Sequence, residues 1–112
     1  MPECLFCRIV KKEIPSKAVF EDGETYAFYD INPQAPTHVL LIPKKHIAGV
    51  ADFNEGDEIT AGSLIVRAKK LAESLGLKSY RLVFNSGEEA GQSVFHLHLH
   101  LLGGRRMKWP PG

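Results

Sequence analysis

The clearest periodicity in the chain lies in its second half. Ala61, Leu64, Ile65, Ala68, Leu71, Ala72 and Leu75 recur at i, i+3, i+4, i+7, i+10, i+11 and i+14. That spacing is the single apolar stripe of an amphipathic α-helix. Gly76 stands where a C′ glycine ends a helix, and Asn54 or Asp57 offers a start. A shorter amphipathic helix is predicted over residues 4–12, with Leu5, Phe6 and Ile9 inward and Pro15 as its limit. The other apolar runs read as strands. Val19 and Phe20 open one that turns at Asp22-Gly23, a hairpin signal. Thr25–Ile31 is rich in aromatics, and Thr37–Ile42 is closed by Pro43. Tyr80–Asn85 and Ser93–Leu102 complete the set. Two prolines make residues 32–36 a loop, two glycines do the same for Ser86–Gln92, and Gly103-Gly104 breaks the last strand. Strands, one long helix and further strands predict an antiparallel α+β fold in a single domain over residues 1–112.

The last predicted strand carries the chemistry. His96, His98 and His100 alternate with Phe95, Leu97, Leu99 and Leu101. Residues i, i+2 and i+4 of a strand share a face, so the imidazoles line one side and the apolar residues the other. The apolar side is expected to bury against the helix stripe. The histidine side needs its own explanation, because Thr, Lys or Glu are the ordinary residues of a solvated face. Aligned imidazoles serve a metal site, or nucleophilic and acid–base catalysis. A neutral imidazole nitrogen attacks, and a neighbouring ring donates or takes a proton.

Composition narrows the choice. At 112 residues, 44% hydrophobic and 24% charged, the chain is an ordinary globular domain. A net charge of +1 speaks against a nucleic-acid partner held by bulk electrostatics. No apolar run approaches the ~20 residues that span a bilayer, so no membrane partner is expected. The opening MPECLFCRIVKK lacks the apolar stretch of a signal peptide, and a cytoplasmic location is expected. In that compartment Cys4-x-x-Cys7 reads as metal-binding or redox-active. Two thiolates do not complete a tetrahedral zinc site, so His38, His46, His96, His98 and His100 enter the count. The phosphate loop G-x-x-x-x-G-K-[ST] is absent.

The segment His96-Leu97-His98-Leu99-His100-Leu101-Leu102 resembles the histidine-triad pattern of the HIT superfamily. Further blocks are similar to its Hint branch, the purine nucleoside phosphoramidases. They are Asp30–His38, Ile42–Ile47, Gly91–Val94, Gly103–Arg105 and Trp109–Gly112. The resemblance implies a HIT-like fold: a five-stranded antiparallel sheet with one long and one short helix, extended across a homodimer. It also implies a tail, residues 102–112, that reaches the partner subunit. The implied reaction is cleavage of the P–N bond of purine nucleoside 5′-phosphoramidates of the AMP-lysine type, through a nucleotidyl-histidine. A dinucleoside polyphosphate hydrolase of the same superfamily and a non-catalytic nucleotide-binding or scaffold protein are the alternatives.

Residue by residue, the resemblance implies that His98 is the nucleophile and that His100 lies beside the phosphate. His38 stands behind the triad. Gln92 and Ser93 meet phosphate oxygens and the leaving group, and Asn85 and Gly91 match phosphate-site positions. Asp30 holds the ribose hydroxyls; on residue type alone it is equally a turn cap. Phe6, Ile9, Phe28 and Ile31 wall the base, with Ile14 nearby, and Trp109 reaches the partner's site. Relatives that carry the first-segment C-x-x-C, and the related galactose-1-phosphate uridylyltransferases, hold zinc there. The matching set is Cys4, Cys7, His46 and His96, a closed and therefore structural zinc site.

Overall fold

A computed structural model describes residues 4–112; the first three positions of the expected domain lie outside the described residues. Two helices and five strands follow in the order α1 (Leu5–Val10), β1 (Ala18–Glu21), β2 (Thr25–Tyr29), β3 (Thr37–Pro43), α2 (Asp57–Ser74), β4 (Tyr80–Val83) and β5 (Leu99–Gly103). The strands form one sheet in the order β1-β2-β3-β5-β4, each neighbour pair antiparallel. Among the described residues no helix is long and apolar enough to cross a membrane.

Both faces of the sheet are covered, and the alternation along β3 shows how. Val39 and Leu41 join Ala27, Leu97, Leu99 and Leu101 against Leu64, Ala68, Leu71 and Ala72 of α2. Leu40 and Ile42 point the other way, into a second cluster with Tyr26, Phe28 and the α1 residues Phe6 and Ile9. A strand buried on both faces reads as a continuous apolar run, which is what Val39-Leu40-Leu41-Ile42 is. Fully burying each leucine of the α2 side contributes about 1.5–3 kcal/mol.

The helix ends follow the expected chemistry only in part. At the C-terminus Gly76 takes φ +76°. There the Leu77 N–H donates to Ala72 O at 2.9 Å and the Gly76 N–H to Glu73 O at 3.1 Å. This is a Schellman cap that a residue with a Cβ would strain. At the N-terminus the cap is Gly56, and Asp57 is the first helical residue. Its carboxylate accepts from the Asn54 N–H at 2.7 Å.

Four expectations need correction. Leu5 is exposed on α1, and Phe6 and Ile9 are the residues it buries. Ile65 is exposed as well, because the stripe that meets the sheet narrows to Leu64, Ala68, Leu71 and Ala72. β2 stops at Tyr29 and β4 at Val83, short of Ile31 and Asn85. The largest difference is the last strand, which begins at Leu99 instead of Ser93. The ladder ends there: Leu99 pairs with Leu41 on β3 and His100 with Val83, the last residue of β4, while the preceding Leu97 N–H leaves the ladder and donates to Ile47 O at 2.6 Å. Residues 94–96 bend, so alternation fails and Phe95 is 52% exposed.

Candidate active site and metal centre

The α1 side of the sheet gathers four of the five histidines. His38 on β3 and His100 on β5 project from the same face as Leu40. His96, at the end of the bend, and His98 reach it from the segment before β5. His96, His98 and His38 are buried and His100 is half-buried. The expected histidine face therefore exists, but α1 and the loops cover it.

Each ring meets a backbone group or another ring that sets where its proton sits. His98 Nδ1 is 2.7 Å from the carbonyl of His96. A carbonyl only accepts, so Nδ1 carries the proton and Nε2 keeps its lone pair. His96 Nε2 is 2.8 Å from Pro43 O, so here Nε2 is protonated and Nδ1 is bare. His38 is the reverse case. The Gln34 N–H donates to its Nδ1 at 3.0 Å, which leaves the proton on Nε2. That Nε2–H donates to His100 Nδ1 at 2.9 Å. His100 then carries its own proton on Nε2, the one buried side-chain polar atom without a hydrogen-bond partner among the described residues. Burial, ahead of the neighbouring His98 and His38, pushes the His100 pKa down to about 4. Burial likewise lowers His96 to about 4 and His38 below its usual value. His96, His38 and His100 are thus neutral at pH 7.

A cavity of about 260 Å³ opens onto this set. Phe6, Ile9, Phe28, Leu40 and Val94 form its apolar wall, and Asp30, Ser93, His98 and His100 its polar side. The Phe6 ring stands edge-on to His98, centroids 5.2 Å apart, and to Phe28 at 5.4 Å. Asp30 divides its oxygens: Oδ1 accepts from the Asn32 N–H at 2.8 Å, and Oδ2 lies 3.5 Å from His38 Nε2. It caps a turn and still lines the cavity. Ile31, fully exposed, sits at the rim. Leu5 and Leu40 also line the cavity, a place the sequence reading did not assign to either. Register is what finds Leu40, which lies directly opposite His100.

Other expected phosphate-site residues lie elsewhere. The Gln92 side chain is buried and occupied: Oε1 accepts from the Gly87 N–H at 2.9 Å, and Nε2 donates to Ala48 O and Val94 O at 2.8 and 3.1 Å. It clips the loop that carries Ser93, and its side chain has no donor to spare for phosphate. Asn85 packs beside Gly91, away from the cavity lining. Ile14 packs on the second apolar cluster. Trp109, 81% exposed, stands over Arg81 at 5.9 Å and does not line this chain's own cavity.

Beside the cavity Cys4, Cys7, His46 and His96 converge. His46 Nδ1 and His96 Nδ1 are 3.2 Å apart, Cys4 Sγ is 3.3 Å from His96 Nδ1, and Cys7 Sγ is 3.3 Å from His46 Nδ1. The edges of a tetrahedron around zinc are about 3.3–3.8 Å for nitrogen and sulfur ligands, from metal–ligand bonds of about 2.0–2.3 Å. The donor set fits the ion. His96 presents a bare Nδ1 while Pro43 O holds its other nitrogen, the outer-shell pattern of a metal-binding histidine. The Cys7 N–H donates to Cys4 Sγ at 3.2 Å, supporting a thiolate. Without a cation, burial and then the Cys4 sulfur push the Cys7 thiol up to about 11, so zinc binding would release protons.

Asp30, His38 and His100 also satisfy a distance criterion for a metal. Their hydrogen bonding opposes one. A metal on His38 Nε2 would move the proton to Nδ1, where it would face the Gln34 N–H, donor against donor.

The HIT domain family matches residues 11–107. The chain belongs to that family. A HIT family hydrolase from Legionella pneumophila is 57% identical and superposes with a TM-score of 0.96, over 98% of this chain and all of the other. A histidine triad nucleotide-binding protein from Candida albicans is 35% identical with a TM-score of 0.82, over 96% of this chain and 83% of the other. A 14 kDa zinc-binding protein from Zea mays is 51% identical over 111 residues, 96% of this chain and 87% of that protein. The HIT chain thus has a hydrolase-type fold and a cysteine–histidine cluster that fits zinc.

Proposed function

We propose that this HIT protein belongs to the Hint branch and hydrolyses purine nucleoside 5′-phosphoramidates, releasing an amine and a nucleoside monophosphate. The observation that carries the reading is the pair of oppositely prepared rings at one cavity: His98 with a bare Nε2 and His100 with an unpartnered Nε2–H. The apolar wall of Phe6, Ile9 and Phe28 suits a purine, and Asp30 accepts from ribose hydroxyls. His98 Nε2 attacks the α-phosphorus, the P–N bond breaks, and the amine leaves with a proton from Ser93 or His100. The His96 carbonyl steadies the imidazolium-like ring through Nδ1–H. The His100 Nε2–H stabilises charge on a phosphoryl oxygen. Water then attacks the phosphorus and the P–N bond to His98 breaks; the ring nitrogen regains its lone pair, and the water's proton returns to the group that protonated the amine.

Zinc, held by Cys4, Cys7, His46 and His96, supplies structure: four protein ligands leave no open position for catalysis. Phe6 lies between the two cysteines, so the metal loop fixes the base wall. A homodimer belongs to the same reading. It is supported by Ile59, Ile65 and Val66, exposed on α2, and by β4 at the sheet edge, with Trp109 on the tail reaching across. So does a cytoplasmic setting, where the two thiols stay reduced.

The test is hydrolysis of an AMP-lysine-type phosphoramidate against a diadenosine polyphosphate, with His98→Ala beside the native chain. Preferential phosphoramidate turnover and a nucleotidyl adduct on His98 are expected. Preference for the dinucleotide transfers the assignment to the other hydrolases of the superfamily, and nucleotide binding without turnover makes the protein a binding module. Sedimentation as a monomer at micromolar concentration counts against the dimer.

A further inference from the structure

Both thiols of the chain belong to one turn of one short helix. Cys4 is the N-cap of α1 and Cys7 its third residue. They are the only two cysteines in the sequence, both are free, and their sulfurs lie within 4.8 Å of each other. Cα atoms three positions apart in a helix are about 5 Å apart, inside the roughly 4.4–6.8 Å that a disulfide spans. The Arg8 N–H donates to Cys4 O at 3.0 Å, so Cys4 already stands in helical register with Cys7. The pair can close a disulfide with its backbone in place. Access is also present. Both cysteines are half-exposed, and His46, 3.3 Å from Cys7 Sγ, is exposed, while His96 on the inner side is buried. A small oxidant reaches the sulfurs without the fold opening.

The helix that carries the pair depends on what holds it. Six residues are far too few for a helix to persist alone, and α1 buries Phe6 and Ile9. Its first turn meets the rest of the molecule where Cys4 and Cys7 converge with His46 and His96. Phe6 stands between the two cysteines in the chain. Its ring packs edge-on against His96, His98 and Phe28, with centroids 6.0, 5.2 and 5.4 Å away. One aromatic residue thus belongs both to the metal loop and to the wall of the His98 cavity.

We propose that Cys4 and Cys7 are an oxidation site for peroxide, and that closing their disulfide unloads the metal and loosens the base wall. A coordinating thiol is deprotonated, and the thiolate is the form that attacks a peroxide. One thiolate attacks a peroxide oxygen: the S–O bond forms, the O–O bond breaks and hydroxide leaves. The second thiolate attacks the sulfenic sulfur: the S–S bond forms, the S–O bond breaks and a second hydroxide leaves. The two sulfurs lose two electrons and the peroxide gains them, so no redox change at the cation is needed. Two ligands and both negative charges disappear together, and His46 with His96 is an incomplete set for tetrahedral zinc. No third cysteine competes within the chain, and a dithiol reverses the sequence. The effect on the base wall rests on the nucleotide reading above; the disulfide does not.

The full-length, zinc-loaded protein is treated with sub-millimolar hydrogen peroxide in the presence of a chromogenic zinc reporter. Intact and peptide masses follow the thiols, and calorimetry follows AMP binding. Zinc should be released at about one per chain, in step with the loss of two hydrogens and a link between the Cys4 and Cys7 positions. Dithiothreitol with added zinc should restore the starting form. AMP should bind the oxidised protein about tenfold more weakly, the partial loss of one aromatic wall. The oxidation site is overturned if zinc and both thiols survive millimolar peroxide, or if the protein as purified holds no zinc to release. It is equally overturned if zinc leaves while sulfinic acid accumulates in place of the disulfide, or if the disulfide joins two chains. Equal AMP affinity before and after oxidation overturns the link to the base wall. If AMP does not bind the reduced, zinc-loaded protein, the nucleotide reading falls and that link with it, while the zinc and mass measurements still decide the oxidation site.

Discussion

Two groups of metal-capable side chains share one side of this sheet, and a distance criterion alone does not separate them. Cys4, Cys7, His46 and His96 form one; Asp30, His38 and His100 form the other. The difference lies one atom behind the clusters. His96 rests its far nitrogen on a carbonyl, Pro43 O, and so turns a lone pair inward. His38 rests its far nitrogen on an amide, the Gln34 N–H, and so turns a proton inward. The first arrangement invites a cation, and the second passes a hydrogen bond to His100 and on to the cavity. An imidazole's role here is set by the backbone group it leans on. His98, leaning on the His96 carbonyl, is the third case, with its lone pair aimed at the cavity in place of a metal.

Four experiments break or sharpen this comparison. The largest effect is expected from His98→Ala, which removes the proposed nucleophile. Turnover of a phosphoramidate should fall by roughly 10⁴-fold or more. Nucleotide binding by calorimetry and zinc content by metal analysis should be retained. Loss of zinc in this variant would mean that the two regions are not separable.

Next in size is Cys4→Ser. Zinc should drop from about one per chain to well below it. The melting temperature should fall by roughly 10 °C, equivalent to about 2 kcal/mol for a domain of this length. Nucleoside affinity should weaken because Phe6 loses its anchor, while nucleotidyl transfer to His98 remains detectable by mass spectrometry. An unchanged melting temperature with freely titratable thiols would return His96 to a hydrogen-bonding role alone.

His38→Ala tests the other region. It frees the His100 proton to sit on either nitrogen, so kcat should fall by roughly tenfold to a hundredfold with KM little changed. Zinc stoichiometry should not move. A second equivalent of zinc in the native chain, lost in His38→Ala, would show that Asp30, His38 and His100 bind metal after all.

The smallest effect is on the pH dependence of stability. His100 has a folded pKa of about 4, depressed mainly by burial, against about 6.5 for an unfolded histidine. Between those values the unfolded chain holds the extra proton. Stability is therefore complete above about pH 6.5 and is lost as the pH falls towards 4. His100→Gln should flatten that decline in denaturant titrations. An equally steep decline would show that His100 is not among its sources.

The sequence by itself determined the sheet-and-helix architecture, because local periodicity and glycine placement are local physics. The α2 stripe, the Gly76 cap and the continuous apolar run of β3 are all readable residue by residue. It also determined which residue types could do chemistry, and the thiols and histidines named from it do converge. What only the tertiary structure decided is how each of those residues is used. That the strand starts at Leu99 follows from where β4 ends, at Val83, and from the Leu97 N–H turning to Ile47 O, contacts remote in the sequence. That Phe95 is exposed and Leu40 faces the cavity follows from the same bend and register. Gln92 became a loop clip because Gly87, Ala48 and Val94 surround its amide. The proton positions on His38, His96 and His98 depend on backbone groups of Gln34, Pro43 and His96. For His38 and His96 those groups lie on other elements or loops. No periodicity encodes such a partner, because a hydrogen bond's direction belongs to the pair of atoms that form it, and the fold alone brings that pair together.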